Sequence, residues 1–293
     1  AYRTLRRALL RPSPDGAWLC AAALVALGHA DEEEARAYEE GRARGAVAFR
    51  GRLTDERWPQ LWHEGEDRVL SSLLGAVGPA VGLLRGAEHR QLGLSRAARR
   101  DLATDETLLG RTIHAASPAL SVQPPEVYFL PDREAGLLLG NARVGAELVP
   151  CLVAGAQVLS GLGPRELAYV VGAFLCKLRP EHYLRLVVET AAEREVALRA
   201  ALLAAGLQLP IPPALKDSVE GYAQALRPHL RPAALEHLQQ VALRAGAQRL
   251  AFDLQRWTAA VDLSAARAGL LLCGDPVVAA RLAAQEPGGA QRQ

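Results

Sequence analysis

The first 120 residues place apolar positions at a helical spacing, with capping residues between the apolar stretches. Asp15-Gly16 precedes an apolar helix predicted over 17–27. Asp31 can cap the next helix, whose first turn is acidic. Helices are predicted again between about 54 and 120, where Thr54 is a suitable N-cap and the glycines from 75 to 86 interrupt the pattern.

The pattern changes near Pro124. The run from Val127 to Leu130 is rich in β-formers and ends at Pro131-Asp132, and residues 137–139 and 146–149 are two further extended candidates. Helices are predicted from 152 to 159, from 165 to 178 and through most of the remaining chain. We therefore expect an α+β fold, mostly α, with a small sheet of two or three strands.

The spacing of small apolar residues followed by LGHADEEEARAYEEG resembles a tetratricopeptide-type helix pair, although an ordinary helical hairpin explains the same pattern. The expected organisation is a helical region over 1–120, a second domain over 121–285 and a disordered tail over 286–293, whose composition is polar and rich in Gly.

The amino-acid composition favours a globular protein and gives little support to nucleic acid as a partner. Half of the 293 residues are hydrophobic, so a large core can form. The net charge is only +2 and acids and bases are interspersed, which gives no electrostatic reason to expect nucleic acid. Among 34 basic residues only Lys177 and Lys216 are lysines, and this excess of Arg, with that of Ala, is typical of a bacterial, GC-rich genome.

The cysteines and apolar runs indicate where the protein resides. Cys20, Cys151, Cys176 and Cys273 are far apart in apolar sequence, which favours buried free thiols in a reducing compartment. The apolar runs at 17–28 and 70–84 are shorter than the roughly 20 residues of a spanning helix. We expect a soluble cytoplasmic protein without a membrane span.

Three segments resemble HtpX-like and CAAX-prenyl-endopeptidase-type zinc metallopeptidases. PEVYFLP is followed by Asn141-Ala142 and then by the helix ELAYVVGAFLCKL, where the family carries a strand, an Asn-Ala motif and an H-E-x-x-H helix. VDLSAARAGLLLCGDP resembles the later stretch that supplies the third zinc ligand. The resemblance covers roughly residues 124–285 and implies a zincin-like domain.

The chain departs from that family at the positions that carry its chemistry. Ala173 and Lys177 stand where the two zinc-binding histidines would be, and Phe174 replaces the general base. Asp262 takes the place of the third ligand, a Glu, and Ala266 replaces an Asp. These five residues are vestigial zinc-site positions, and since a zinc site needs three protein ligands, we expect no metal, no cofactor and no catalysis.

Lys177 and Asp262 occupy two of the former ligand positions on facing helices. We expect them to form an ion pair in place of the metal, with Phe174 filling the side of water and substrate. The alternative is that Lys177 extends to solvent at its helix end.

A fold retained without its chemistry predicts a pseudo-metallopeptidase that serves as a protein–protein interaction or scaffold module, with the former cleft or the N-terminal helices as its binding surface. The alternatives are an enzyme with a displaced metal or another nucleophile, and a structural subunit of a larger assembly. A metal site at Glu181 and His182 is disfavoured because adjacent helical residues point in different directions. The sequence leaves the partner and the oligomeric state open.

Overall fold

The computed structural model describes residues 1–43, 51–208, 210–245 and 253–285. The architecture is α+β and mostly α, as predicted. The helices are α1 (Tyr2–Leu9), α2 (Pro14–Ala26), α3 (Glu32–Ala43), α4 (Trp58–Leu61), α5 (Arg68–Arg85), α6 (Leu108–Ala119), α7 (Ala156–Leu159), α8 (Pro164–Lys177), α9 (Pro180–Val187), α10 (Ala191–Ala204), α11 (Lys216–Leu226), α12 (Pro232–Ala245), α13 (Leu254–Cys273) and α14 (Pro276–Gln285). The predicted tail over 286–293 lies outside the described residues.

The helical hairpin expected near the N-terminus is formed by α2 and α3. The Ser13 hydroxyl caps α2 by accepting from the Gly16 amide, so Asp15-Gly16 lie in the first turn of the helix and not before it, as the sequence had suggested. Trp18 of α2 stacks on Tyr38 of α3 with ring centroids 6.0 Å apart, and its indole N–H donates to the Tyr38 carbonyl. The aromatic pair fixes how the two helices cross.

Helix α5 is continuous where the sequence predicted a break. Its start is capped by the Asp67 carboxylate, which accepts from the amides of Val69 and Leu70. A Cβ on Gly75 would lie 3.3 Å from the backbone of Glu181, so the glycine allows α9 to pack closely. By length and composition alone this helix could cross a membrane; in the fold, 56% of it is buried.

The sheet has four strands, where two or three were predicted. They are β1 (Arg99–Arg100), β2 (Glu126–Phe129), β3 (Leu137–Val144) and β4 (Glu147–Ala154), in the order β1-β2-β4-β3. β2 and β4 are parallel, whereas β1 pairs antiparallel with β2, and β3 forms a hairpin with β4 through Gly145 at φ +61°. The sequence assigned helix to the segment from 152, and this was wrong for 152–154, which end β4.

The hydrophobic core crosses the boundary that the sequence suggested between 120 and 121. Leu73 and Leu74 of α5 belong to one buried cluster with Leu184 of α9 and Leu198 of α10. One face of the sheet, including Phe129, packs in a second cluster with α6 and α8, and the other face, including Tyr128, packs under the loop that contains Leu94. The sheet therefore lies between α8 and that loop.

Helices α8 and α13 approach each other through glycines. A Cβ on Gly172 would lie 2.9 Å from the Ala268 carbonyl oxygen, and one on Gly269 would lie 2.7 Å from the Tyr169 carbonyl oxygen. Only residues without a side chain permit this spacing of two helical backbones. The close contact aligns α8, which carries Lys177, with α13, which carries Asp262.

Candidate functional site

The candidate site lies between α8, α9 and α13. Helix α8 begins at Pro164, which suits the first helical position, and the Glu166 carboxylate accepts from the Gly163 amide at 2.6 Å. At its other end α8 presents Lys177 toward Asp262 in the middle of α13. The two helices thus bring together residues 85 positions apart in the chain.

Asp262 is the centre of a charged cluster. The Lys177 ammonium lies 3.4 Å from Asp262 Oδ1, so the ion pair expected from the sequence is present. Arg185 of α9, which sequence reasoning missed, donates from Nε and Nη2 to the two carboxylate oxygens at 3.1 and 3.3 Å. Asp262 is 5% exposed, so both cations compensate a largely buried carboxylate.

The other vestigial positions do not converge on this cluster. Ala173 and Phe174 are buried in the apolar cluster shared by α6, α8 and the sheet. Ala266 packs instead against the cluster of Tyr169 and Cys273 near α14. With three apolar side chains, one lysine and one carboxylate already held by two cations, the vestigial positions offer no three-ligand zinc site.

The outer edge of β3 is occupied next to Asn141-Ala142, the motif that carries part of the resemblance. The Ala87 amide donates to the Asn141 carbonyl at 3.1 Å, and the Arg143 amide donates to the Ala87 carbonyl at 2.9 Å. The Tyr183 hydroxyl donates to the side-chain oxygen of Asn141. An extended peptide could not pair with β3 at these positions while residue 87 remains there.

A second polar cluster, behind α9, was also missed. His182 Nε2 lies 2.8 Å from Glu66 Oε1, and the hydroxyls of Ser71 and Ser264 each donate to Glu66 at 3.0 Å. The Trp257 indole N–H donates to Ser71 at 2.9 Å. The cluster ties the start of α5 to α9 and α13 through groups that have no access to solvent.

The geometry favours the charged form of both residues. Burial alone would lower the pKa of His182, but the contacts with Cys176 and Glu66 outweigh it and raise that pKa to about 10. His182 Nδ1 faces the Cys176 carbonyl at 3.2 Å, so each ring nitrogen of an imidazolium has an acceptor. Burial alone would raise the pKa of Glu66, and the hydrogen bonds from His182, Ser71 and Ser264 lower it instead.

The remaining candidates take other partners. Glu181 pairs with Arg179 at 2.6 Å, whereas His182 points inward, so the two adjacent residues do point in different directions. All four cysteines are buried free thiols, as expected. His114 of α6 is exposed.

A groove runs along α5. One cavity of about 440 Å³ lies between α5, the start of β4 and α9, and has Leu83, Leu148 and Tyr183 in its wall. A second cavity of about 720 Å³ continues it toward Trp62 and Arg68. The two cavities share three lining residues, Ala76, Pro180 and Ala234, so they form one continuous groove.

No family model, curated protein or solved structure matches this chain significantly. The resemblance to zinc metallopeptidases therefore rests on the sequence motifs alone.

Proposed function

We propose that this protein is a catalytically inactive pseudo-metallopeptidase that acts as a protein-interaction module. The observation that carries the proposal is the ion pair of Lys177 and Asp262, which stand at two positions where the resembling family binds zinc, together with Arg185, which also pairs with Asp262. Two cations around one carboxylate disfavour a third positive charge at that point, since like charges repel strongly where water is scarce.

The groove along α5 is the surface we assign to the partner. Its floor is apolar, with Ala76, Ala80 and Leu83 of α5, while Arg231 and His229 stand at one end. Arg68 and Arg179 lie at the other end beside Asp55 and Glu181. An apolar floor between charged ends fits an amphipathic segment of a protein partner better than a small polar substrate.

Hydrolysis is tested with purified protein, fluorogenic peptides and added Zn²⁺ or Co²⁺. The expected result is no metal-dependent cleavage, because no water-activating metal is held at 173, 177 and 262. Cleavage that Asp262→Asn abolishes, while Glu39→Gln on the exposed face of α3 leaves it intact, would overturn the assignment as a pseudoenzyme.

Binding is tested with peptides selected from a random display library against the wild-type protein. Ala76→Arg places a long cation in the groove, and binding of the selected peptides should weaken by at least about tenfold, or about 1.4 kcal/mol. Ala115→Arg on the exposed side of α6 is the matched control and should bind as wild type. Equal binding by both variants, or failure to select any peptide, would contradict the groove as the interaction surface.

A further inference from the structure

Three metal-ligating side chains converge on the sheet face opposite α8. The parallel register places Glu126 of β2 directly beside Cys151 of β4. Strand alternation turns Tyr128 and Val153 to the same face, which is covered by the loop containing Leu94. That loop also carries His89, which reaches over the edge to both residues.

The ligand atoms have the spacing of a zinc site. His89 Nε2 lies 3.0 Å from Glu126 Oε2 and 3.9 Å from Cys151 Sγ, and all three atoms lie within 4.8 Å of one another. Tetrahedral zinc, with bonds of about 2.0–2.1 Å to N and O and about 2.3 Å to S, separates such atoms by roughly 3.3–3.6 Å. The two distances from His89 Nε2 each differ from these values by only a few tenths of an ångström.

The same geometry argues against a nucleophilic relay. In a Cys-His-acid triad the thiol contacts one imidazole nitrogen and the acid contacts the other. Here Cys151 and Glu126 both approach Nε2 of His89, so the three groups point at a common centre rather than forming a line. Cys151 is also fully buried, which leaves a substrate no approach to its sulfur.

Neighbouring groups orient the carboxylate. Arg99 holds Glu126 Oε1 at 2.8 Å, so Oε2 is the oxygen turned toward His89. The Tyr128 hydroxyl donates to Oε2 at 2.7 Å and limits its rotation. Such outer partners fix the direction of a ligand before the metal arrives.

We propose that His89, Glu126 and Cys151 bind one Zn²⁺ ion, with the fourth coordination position directed to solvent. Cys151 loses its proton to solvent on binding and contributes a thiolate, Glu126 contributes a carboxylate and His89 a neutral imidazole. The thiolate and imidazole select zinc over Mg²⁺ or Ca²⁺, which take oxygen ligands.

The ion would link the loop that contains His89 to the sheet that carries Glu126 and Cys151. That loop meets the sheet through a few apolar contacts, Leu94 among them, and through the short pairing of Ala87 with β3. A ligand that binds only the folded arrangement stabilises it in proportion to the logarithm of its concentration. Zinc binding should therefore raise the stability of the folded protein. This inference does not depend on the assignment as a pseudopeptidase.

The test uses full-length protein stripped of metal by a chelator and titrated with Co²⁺, a spectroscopic substitute for Zn²⁺. We expect one equivalent to bind with a thiolate-to-cobalt charge-transfer band, which one equivalent of Zn²⁺ displaces. Cys151→Ser should abolish the band. His89→Gln, at a partly exposed position, should weaken binding by at least about tenfold.

Cys20→Ser and His114→Gln are the matched controls, since they change a buried thiol and an exposed imidazole elsewhere. Both should retain the band and the stoichiometry. Absence of the band in wild type, its persistence in His89→Gln at unchanged affinity, or equal loss in Cys20→Ser would each overturn the site.

Discussion

His182 Nε2 lies 2.8 Å from Glu66 Oε1, and neither side chain is more than 1% exposed. The pair joins residues 116 positions apart and connects α9 to the segment that precedes α5. Because both groups are charged in this arrangement, each one stabilises the fold only while its partner keeps its charge.

The pair predicts that stability falls on the alkaline side. His182 has a pKa of about 10 in the fold against 6.5 ordinarily, so its contribution is complete below pH 6.5 and is lost as pH rises to about 10. The slope contributed by this one proton is at most about 1.4 kcal/mol per pH unit. Glu66 has a lowered pKa, so its contribution is present above pH 4.5 and is lost on further acidification. Urea unfolding followed from about pH 2 to pH 10 measures the loss of stability on both the acid and the alkaline side.

The variant Glu66→Gln tests whether the His182–Glu66 pair causes the alkaline decline. It removes the charge that helps to hold the proton on His182 while the contacts with Cys176 remain, so the alkaline decline due to His182 should become smaller, and the protein should lose roughly 3–5 kcal/mol near pH 6. All other titrating groups are common to both proteins. The same alkaline slope in wild type and Glu66→Gln would contradict the account.

Helix α3, which Asp31 caps, could be predicted from the sequence, but segments decided by tertiary packing could not. Residues 152–154 are apolar, and periodicity does not separate a buried strand from a buried helix. Pairing with β2 and β3 decides in favour of strand. Gly75 suggested a break in α5, whereas its lack of a side chain serves contact with α9.

The candidate site shows the same limit. Lys177 and Asp262 could be paired in advance because both lie in motifs that resemble one family. Arg185 stands on a third helix outside those motifs, and its sequence neighbours carry no signal that it reaches Asp262. Glu66 and His182 likewise meet only through the packing of distant segments, which spacing along the chain does not encode.

Removing Asp262, the carboxylate at the centre of the charged cluster, should lower the free energy of unfolding more than removing one of its two cations. Asp262→Ala leaves Lys177 and Arg185 facing each other without a carboxylate, and we expect a loss of roughly 3–5 kcal/mol in the free energy of unfolding. Lys177→Met should cost less, because Arg185 still donates twice to Asp262. Urea unfolding at constant pH gives both values.

The exposed pair of Glu39 and Arg42, with atoms 3.9 Å apart, is the matched control. Glu39→Ala should change stability by no more than about 0.5 kcal/mol, because surface ion pairs contribute little. If Asp262→Ala lowered the free energy of unfolding as little as Glu39→Ala does, the Asp262 carboxylate would not be needed to neutralise Lys177 and Arg185.

The glycine contact between α8 and α13 predicts that a Gly→Ala substitution there destabilises the fold, although alanine is the better helix former. Gly172→Ala brings a Cβ within 2.9 Å of the Ala268 oxygen, so the helices must separate, at an expected cost of about 1–3 kcal/mol. Gly221→Ala in α11 meets nothing within 4 Å and should stabilise by about 0.5–1 kcal/mol through helix propensity. Thermal unfolding of the two variants should therefore shift in opposite directions; a stabilised Gly172→Ala protein would contradict the close packing.

Asp275 links the N-terminal hairpin to the rest of the fold, and its removal should loosen that hairpin selectively. Its buried carboxylate accepts from the Tyr38 hydroxyl at 3.2 Å and from Arg165 at 3.0 Å, and it accepts from the Val277 amide at the start of α14. Asp275→Ala removes the acceptor shared by three elements, so amide hydrogen exchange in α2 and α3 should accelerate more than in α10. Asp253→Ala removes only the cap of α13 and should leave exchange in α2 and α3 unchanged. Equal acceleration in both variants would mean that Asp275 acts only as a helix cap.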